Sequence, residues 1–419
     1  MTASSTWRRS TLADVASWGS GGTPSKNDPN SYGGTIPWVV IGDLTDGPVF
    51  QTATTLTEAG LKKSAAKLVP PGAVLVAMYG ASIGRLGVAT REVTTNQAIA
   101  HAIPHPDVDA RYLFYYLMSQ KEALVRAGKG AAQPNIGQGV LKAWPIQLPD
   151  AMDEQRRIVD LLEDHLSRLD AADDYLAAAK RRLEAMVSSV LQGLIPDESE
   201  YPDSWKRATV AEAGSVGLGR QRHPDWHTGS SMKPYLRVAN VFEDRIDTTD
   251  VMEMHWPHET FDRFKLHPGD VLLNEGQTPD LLGRPAIYRG DPPETAFTNS
   301  LIRFKANDDV LPEFALLVFR RHMRAGRFKR ESRITTNIAH LSAARLKPIE
   351  FPVPPIDEQA RIVATADERL IAIKRLAAEF AAAKAHRSNL HRSLLASAFS
   401  GRLTSSETDL SVTEEMIGA

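Results

Sequence analysis

The chain has 419 residues, of which 42% are hydrophobic and 24% are charged, and its formal net charge is -2 at pH 7. This length and composition are typical of two or three folded domains, and the near-neutral charge argues against a simple polybasic nucleic-acid binder. The lack of cysteine excludes disulfides, thiolate zinc sites and cysteine nucleophiles. No apolar run approaches the length of a membrane span, and the amino terminus has no apolar signal core. We therefore expect a cytoplasmic protein that does not contact a membrane.

Residues 1–150 are predicted to form a mixed α+β domain. A glycine-rich turn at 19–26 opens it, and the apolar, β-branched segments 36–44 and 72–78 are bounded by Pro and Gly, as short buried strands are. The pattern of residues 111–128 predicts one helix. The domain therefore combines short strands with a packed helix and several polar loops.

Residues 151–196 are predicted to form one long helix. The stretch 153–194 contains no proline, and its apolar residues recur every three or four positions from Ile158 to Leu194. About forty residues at about 1.5 Å rise give a helix of roughly 60 Å. That helix is too long to be buried in one compact domain, and its opposite face is too polar for a membrane, so we expect a partner helix.

Residues 197–353 repeat the plan of the first domain, which indicates an internal duplication. The matching positions share glycines, prolines and asparagines, while many polar residues between them differ. The clearest matches pair Trp7 with Trp205, Pro37 with Pro234, Gly84-Arg85 with Gly283-Arg284, and Asn96 with Asn299. We expect two similar scaffolds that recognise different ligands, with Asn96 and Asn299 in structural turns.

Residues 354–403 are predicted to form a second long helix, which opens with the same Asp-Glu-Gln tripeptide at 357–359 as the first helix at 153–155. Two amphipathic helices that are marginal alone can bury their apolar stripes against each other as a coiled coil. The alternative is two independent helices, each docked on its own domain. Arg387 interrupts the second stripe and is expected to weaken the pairing locally or to contact a partner. Residues 404–419 are predicted to form a loose acidic tail.

Signatures of catalysis are weak in this sequence. Gly128-Lys129 lacks the spacing of a phosphate-binding loop. The segment 291–294 resembles the catalytic tetrapeptide of amino-methyltransferases, but Glu294 replaces the required aromatic residue, so we favour a proline-stiffened surface turn. Histidines concentrate in one part of the second domain, where we favour surface or DNA-contacting roles over a metal site. This cluster consists of His223, His227, His255, His258, Glu259 and His267. We expect no catalytic, metal-binding or cofactor-binding residue.

A basic run lies late in the second domain. From Arg320 to Lys347 there are nine Lys or Arg residues and one acidic residue, Glu331. Such a run predicts a basic patch that contacts phosphate on one face of the protein.

The order domain, helix, domain, helix resembles the specificity subunit of type I restriction-modification systems. The resemblance depends on the duplicated Asp-Glu-Gln helix entries, on the glycine-rich turn and on the paired Gly-Arg loops, and it covers nearly the whole chain. It implies an α+β fold in which two target recognition domains are separated by two long antiparallel helices that form a coiled coil with pseudo-two-fold symmetry.

The resemblance also implies a function and partners. Each domain would read one half of a bipartite target in double-stranded DNA, and the helices would fix the spacing and dock two methyltransferase (modification) subunits. Motor and nuclease (restriction) subunits would complete the complex. No cofactor is expected in this chain, because S-adenosylmethionine, ATP and Mg would be bound by the partner subunits.

Long polar side chains on loops are the candidate DNA contacts, because Arg and Lys suit guanine while Asn and Gln suit adenine. In the first domain we predict Lys26, Tyr79, Ser82, Arg85, Lys129, Gln133 and Asn135. In the second domain we predict Arg220, Arg222, Gln277, Arg284, Lys329, Arg330, Arg333 and Asn337. Arg85 and Arg284 occupy matching positions and are equally compatible with scaffold or phosphate contacts. Gln133 is aligned with Thr335 of the second repeat. Because this position differs between the repeats, Gln133 is a better candidate for base choice.

Three alternatives stay open at this point. One is the same kind of DNA-binding subunit in a methylation-only or other defence system. Another is a non-enzymatic coiled-coil scaffold that binds proteins, which the neutral charge favours. The least favoured is a stand-alone nuclease or methyltransferase, because the corresponding motifs are missing.

Overall fold

The structure, a computed structural model, describes residues 6–129, 134–335 and 338–404, with the backbone only for 333–335 and 338. The chain divides into two compact units. The first unit comprises the described residues up to Tyr175 and those from Ala382 onward, and the second comprises Leu176–Ala381. Each unit therefore contains one globular part and one half of each long helix.

The globular part of the first unit is built on a five-stranded sheet and a three-stranded sheet. Its strands are β1 (Trp7–Thr11), β2 (Ala16–Ser20), β3 (Tyr32–Val39), β4 (Gly47–Val49), β5 (Thr54–Leu56), β6 (Val74–Ala77), β7 (Leu86–Ala89), β8 (Thr94–Thr95), β9 (Ile99–Pro104) and β10 (Pro145–Pro149). Its helices are α1 (Leu12–Val15), α2 (Glu58–Lys62), α3 (Ala110–Ser119), α4 (Lys121–Ala127) and α5 (Gln138–Lys142), and the long helix α6 (Met152–Leu194) follows. The sheets have the orders β2-β9-β6-β7-β4 and β5-β3-β8, and β1 pairs with β10.

The helix predicted over residues 111–128 is interrupted, so that α3 and α4 are separate elements. At Gln120 the backbone N–H bonds to the carbonyl oxygen of Leu117 at 3.1 Å as well as to that of Tyr116 at 3.2 Å. A bond to the third preceding residue tightens the last turn of a helix and ends its regular path. The sequence pattern did not indicate this break, because the helical spacing of apolar residues continues through it to the buried Leu124.

The globular part of the second unit repeats this plan. Its strands are β11 (Lys206–Thr209), β12 (Gly214–Leu218), β13 (Met232–Leu236), β14 (Val241–Phe242), β15 (Arg245–Ile246), β16 (Met252–His255), β17 (Val271–Asn274), β18 (Gly276–Gln277), β19 (Pro285–Ile287), β20 (Ala296–Phe297), β21 (Leu301–Ala306), β22 (Arg333–Thr335), β23 (Ile338–His340) and β24 (Glu350–Val353). Its helices are α7 (Val210–Ala213), α8 (His258–Phe264), α9 (Pro312–Arg324), α10 (Arg327–Glu331) and α11 (Ala343–Leu346), and the long helix α12 (Ile356–Ala398) follows. The order β12-β21-β17-β19 matches the first four strands of β2-β9-β6-β7-β4, and the orders β16-β13-β20 and β11-β24 match β5-β3-β8 and β1-β10. The fifth strand of the first unit's larger sheet, β4, is an exception, since β14 and β15 at the corresponding place in the chain pair with each other in a separate two-stranded sheet. The predicted α+β duplication is confirmed.

The two long helices share a hydrophobic core in each unit. In the first unit, Leu162 on the first half of α6 and Leu394 on the second half of α12 belong to one buried cluster. In the second unit, Leu183 on the second half of α6 shares a cluster with Leu370 on the first half of α12. Opposite halves therefore meet in both units, which is the antiparallel arrangement. Because these clusters also include the globular parts, each helix both pairs with the other helix and docks on a domain.

Arg387 joins the two helices, although it occupies an apolar position of the stripe. Its guanidinium lies 3.1 Å from the Asp170 carboxylate and 2.7 Å from that of Asp173, both on α6. Its Nε donates to the carbonyl oxygen of Leu169 at 3.3 Å. The expected local weakening is therefore replaced by a specific polar contact between the helices of the first unit.

Gln155, the last residue of the first Asp-Glu-Gln tripeptide, is fully buried and holds α6 to the globular part of its unit. Its amide oxygen accepts from the Asp109 N–H at 2.9 Å. Its amide nitrogen donates to the carbonyl oxygens of Asp107 and Pro149 at 3.0 and 2.9 Å. One side chain thus satisfies three main-chain groups that would otherwise be buried without partners.

Gln359 makes the same three bonds in the second unit, and we call this arrangement the glutamine clamp. The fully buried amide oxygen accepts from the Leu311 N–H at 2.8 Å. The amide nitrogen donates to the carbonyl oxygens of Asp309 and Pro354, each at 2.8 Å. The repeated tripeptide therefore encodes the joint between each globular part and the helix that follows it.

The basic run from Arg320 to Lys347 is partly neutralised within the second unit, whereas Lys329 and Arg330 are exposed on α10. The phosphate contact predicted from this run therefore stays a prediction for its later cations only. The first four arginines of the run are engaged in ion pairs inside the second unit, and Arg320 and Arg321 are 5% and 7% exposed. The ion pairs are Arg320 with Glu243 and Asp244, Arg321 with Asp197, Arg324 with Glu184 and Glu243, and Arg327 with Glu331 and Glu350. Most of these carboxylates are distant from the arginines in the sequence, so the ion pairs cannot be recognised from the sequence alone.

His322 on α9 is buried beside these ion pairs, at 1% exposure. Its Nε2 lies 3.0 Å from the carbonyl oxygen of Glu350. Burial lowers the pKa of His322 well below its usual value, although the nearby Glu350 carboxylate opposes part of that effect. The imidazole is therefore neutral in the folded protein at neutral pH.

We expect the free energy of unfolding to fall as the pH is lowered from about 6.5, the pKa of an unperturbed histidine. Below that pH the imidazole of His322 binds a proton in the unfolded state but not in the folded state, so acid favours unfolding. Urea titrations at about pH 7.5 and about pH 5 give the free energy of unfolding at each pH. The decrease between the two pH values should be smaller for His322→Gln than for the unsubstituted protein. Part of the decrease persists in the variant because burial also lowers the pKa values of His101 and His391. An equal decrease in both proteins would contradict this assignment.

Candidate nucleic-acid interface

The first unit brings several predicted residues to one edge of its five-stranded sheet, which we call the first loop edge. Strands β2, β9, β6 and β7 are antiparallel neighbours, so the ends of β2 and β6 meet the starts of β9 and β7. The connecting segments at this edge are 21–31, 78–85 and 96–98. They are joined by a hydrogen bond of 2.9 Å from the Met78 N–H to the Ala98 carbonyl oxygen, and by side-chain contact between Thr23 and Gln97.

The segment that follows α4 returns to the same edge. Tyr79 forms a β-bridge with Asn135, and Asn135 forms a second bridge with Lys129. The backbones of Lys129 and Asn135 exchange two hydrogen bonds of 2.9 Å each. Gln133, which is predicted to contact bases, lies outside the described residues. The bridges nevertheless place both ends of its segment at the first loop edge.

All the described candidates of the first unit therefore meet at this edge. Lys26, Tyr79, Lys129 and Asn135 are exposed, while Ser82 and Arg85 are half-buried on the turn between β6 and β7. Tyr79 is 37% exposed, so part of its ring faces solvent. In the described part of the chain, no carboxylate lies within ion-pair distance of the cationic candidates. The first loop edge thus presents unpaired cations, an aromatic ring and an amide together.

The second unit has an equivalent second loop edge, where the ends of β12 and β17 meet the starts of β21 and β19. Arg220, Arg222, Gln277 and Arg284 lie in or beside the connections at this edge. The three-stranded sheet β18-β23-β22 corresponds to the two bridges of the first unit. In this sheet Gln277 pairs with Ala339.

Three further candidates of the second unit lie in or next to this small sheet. Lys329 and Arg330 are exposed on α10, immediately before β22. Lys329 is 2.9 Å from the Asp280 carboxylate, which partly neutralises it. Arg333 is in β22, but its side chain lies outside the description, and Asn337 lies outside the described residues altogether. The two repeats therefore place their described candidates at equivalent edges of the fold.

Two arginines of the second loop edge are bound within the protein. The Arg220 guanidinium stacks 3.6 Å from the centre of the Trp226 ring and donates to the His255 carbonyl oxygen at 2.8 Å. Burial lowers the pKa of Arg220 and of Arg284. The scaffold role considered for Arg284 is favoured by its bond to the Val241 carbonyl oxygen, at 2.9 Å.

The remaining two candidates of the second loop edge are more accessible. Arg222 is exposed, with its guanidinium 5.6 Å from the Tyr235 ring centre. The Gln277 side-chain oxygen accepts from the Thr278 N–H at 3.0 Å, which leaves its amide nitrogen available as a donor.

The histidine-rich segment forms no metal site among the described residues, since no three His, Asp or Glu side chains there are close enough to hold an ion. His223 lies 3.2 Å from Asp225, and His255 accepts from the Ser231 N–H at 3.2 Å. Glu294, in the segment that resembles a methyltransferase tetrapeptide, forms ion pairs with Lys233 and Lys265. These local contacts fit the surface roles favoured from the sequence.

Sequence reasoning missed two lysines beside the first loop edge. Lys62 ends α2 and Lys67 follows in the next turn, and both are exposed. The only sequence signal was the local spacing of lysines in residues 62–67, which is common on ordinary protein surfaces. Their position next to the loop that carries Lys26 is evident only in the folded chain.

Two similar α+β parts, each with an edge of polar loops and each joined to a long helix, define an internally duplicated protein. The model of the type I restriction modification DNA specificity domain family matches residues 4–174 and 234–373. The chain therefore belongs to this family. In the described part of the chain, no helix is both long and apolar enough to cross a membrane.

Similarity to curated relatives is low but extends along the chain. The EcoR124I/EcoR124II specificity subunit of Escherichia coli is 28% identical over 159 residues, covering 36% of this chain and 39% of that protein. The MjaIX specificity subunit of Methanocaldococcus jannaschii is 28% identical over 161 residues, covering 37% of each. The EcoKI specificity subunit of E. coli K12 is 20% identical over 387 residues, or 88% of this chain and 82% of that one. The matched region thus spans well under half the length of the first two relatives.

A solved chain from work on the complex assembly and conformational transition of the type I R-M system has a similar fold. It superposes with a TM-score of 0.72 at 17% identity, and the match covers 94% of this chain and 98% of that one. At this identity the likeness concerns the fold.

Proposed function

We propose that this chain is the sequence-specific DNA-binding specificity subunit of a type I restriction-modification complex. Each globular part reads one half of a bipartite site in double-stranded DNA, and the chain itself is not catalytic. The observation that carries this proposal is the pair of loop edges, which share a backbone arrangement but differ in their polar side chains. Equivalent frames with different side chains suit two recognition modules that read different sequences.

The chemistry of each loop edge suits recognition of both bases and backbone. In the first unit, Lys26, Arg85 and Lys129 supply cations without described acidic partners, and Asn135 supplies an amide that can bond adenine in two places. In the second unit, accessible donors come from Arg222, Gln277, Lys329 and Arg330, and we retain Arg333 and Asn337 as candidates from the sequence. Arg220 and Arg284 act mainly by holding the loops in shape, because their guanidinium groups bind within the protein.

The long helices supply the spacing and the docking surface. Each unit contains one half of both helices, so two equivalent surfaces are available for two copies of one partner. We assign these surfaces to two methyltransferase subunits, with motor and nuclease subunits completing the complex. S-adenosylmethionine, ATP and Mg belong to those partners. The glutamine clamp supports this arrangement because it fixes each recognition part to a helix.

Domain exchange combined with methylation mapping tests the proposal. DNA from cells that express this chain with its modification partner should carry a methylated bipartite motif. Replacing residues 197–353 by the corresponding part of a family member should change one half of the motif, and replacing residues 1–150 should change the other. The spacer should stay the same in both exchanges. If neither exchange alters a methylated motif, the specificity-subunit proposal fails and a protein-binding scaffold becomes the better explanation.

A further inference from the structure

Helix α2 lies tightly against the loop that carries Lys26. The side-chain oxygen of Thr57 accepts from the Gly60 N–H at 3.0 Å and caps the start of the helix. At Gly60 the helix backbone contacts the carbonyl group of Ser31 so closely that an added Cβ atom would overlap it. The glycine therefore allows a backbone-to-backbone contact that fixes α2 beside the first loop edge.

The segment after α2 is held to the same loop. The backbone of Ala65 and Ala66 packs on Gly22, where an added Cβ would also overlap. The loop itself is anchored by a bond of 3.1 Å from the Trp38 indole nitrogen to the Gly22 carbonyl oxygen, and by one of 2.8 Å from the Tyr32 hydroxyl to that of Pro24. The backbone that carries the lysines of residues 62–67 is thus fixed against the loop that carries Lys26.

Most of the lysines on this segment and on the adjacent loop have no described acidic partner. Lys63 lies 3.2 Å from the Asp28 carboxylate and is partly paired. Lys26, Lys62 and Lys67 are exposed, and none has a carboxylate within ion-pair distance among the residues that the structure describes. The chain as a whole has a net charge of -2, so this surface is a local positive feature.

In the counterpart of this surface in the second unit, the lysines are paired with a carboxylate. Beside α8, Lys233 and Lys265 both form ion pairs with Glu294. His258 at the start of α8 lies 3.2 Å from the Asp262 carboxylate. The two units therefore differ in the charge that flanks their loop edges, although their folds match.

We propose that Lys62 and Lys67, together with Lys26, form a DNA-backbone contact surface that flanks the first loop edge and binds phosphates independently of sequence. Lysine ammonium groups suit this role because each is a compact point charge on a flexible side chain, which can meet a phosphate without a fixed geometry. The surface lies beside the base-reading loops, so it contacts the DNA next to the first half-site. This inference rests on the proposed function. It adds phosphate contacts by the first unit that have no equivalent among the described residues of the second unit.

The test is the salt dependence of DNA binding by the full chain. Affinity is measured over a range of KCl concentrations for a duplex that carries the mapped bipartite site and for a scrambled duplex. Loss of two phosphate contacts in Lys62→Gln with Lys67→Gln should reduce the slope of log affinity against log salt by about 1.8. Both duplexes should lose affinity by the same factor, roughly tenfold at moderate salt. The ratio of specific to non-specific affinity should stay unchanged.

A matched control removes the same charge elsewhere on the first unit. Arg9 on β1 and Lys142 on α5 lie toward the other end of β2, because β1 and α1 precede that strand and α5 contacts α1. Arg9→Gln with Lys142→Gln should leave the salt slope unchanged. An unchanged slope in the Lys62/Lys67 variant, or an equal change in the control, would overturn the inference. A loss confined to the specific duplex would also overturn it, since the lysines would then read bases. Failure of the unsubstituted chain to prefer its mapped site would instead count against the proposed function.

Discussion

Replacing Gln359 by leucine should lower the free energy of unfolding of the second unit by about 4 kcal/mol, because three buried main-chain groups lose their partner at once. These groups are the N–H of Leu311 and the carbonyl oxygens of Asp309 and Pro354. Each unsatisfied buried group costs roughly 1–3 kcal/mol, and part of the cost is recovered if water enters. Urea unfolding followed by circular dichroism measures the change. The same substitution at Gln155 should destabilise the first unit by a similar amount.

Two further variants separate hydrogen bonding from other effects. Gln359→Glu keeps the shape of the side chain but presents an acceptor to two carbonyl oxygens, so it should also be strongly destabilising. Gln192→Leu makes a comparable replacement at an exposed position of α6 and should change stability by no more than about 0.5 kcal/mol. If Gln359→Glu has the stability of the unsubstituted protein, the amide donors are not what holds the joint.

Lengthening both long helices by seven residues should lengthen the spacer of the DNA target by about three base pairs and leave both half-sites unchanged. Seven helical residues add about 10 Å, and each base pair occupies about 3.4 Å along the duplex. The insertions belong after Tyr175 and after Ala381, where the helices pass from one unit to the other. Seven residues make nearly two whole turns, so the apolar stripes stay in register. Methylation mapping of cellular DNA reports the new spacer.

The control for this experiment lengthens α6 alone. The unequal helices can no longer pair along their full length, so methylation should be lost rather than shifted. A double insertion that keeps the original spacer would show that the helices do not set the distance. A change in either half-site would show that the insertion had disturbed the recognition parts instead.

The duplicated architecture was predictable because backbone requirements recur in the sequence. Glycine and proline mark turns that both repeats need, and the buried glutamine of each clamp cannot be exchanged without leaving main-chain groups unsatisfied. Gln155 and Gln359 therefore stand at the same place in both repeats. The pattern did not reveal why the tripeptide recurs, because the partners of the glutamine are main-chain atoms that have no sequence signature.

The charged residues were harder to interpret because their partners are distant in the sequence. Arg320 and Arg324 are neutralised by Glu243, which the local pattern could not associate with them. Conversely, Lys62 and Lys67 resemble ordinary surface lysines until the backbone contacts place them beside the first loop edge. The described candidates on the loops between strands lie together in each unit, because neighbouring antiparallel strands bring alternate connections to one edge whatever their composition. Their contact with DNA stays a prediction.

The glutamine clamp binds only main-chain atoms of the globular part that it holds. Asp107, Asp109 and Pro149 contribute carbonyl or N–H groups, and none of their side chains takes part in the bonds. The clamp itself can therefore hold a globular part of another sequence, provided that the backbone path is the same. The side chains that such a part must keep when recombination exchanges it are those outside the clamp, which pack on α6 or pair with it, such as Arg111 with Asp160 and Glu163.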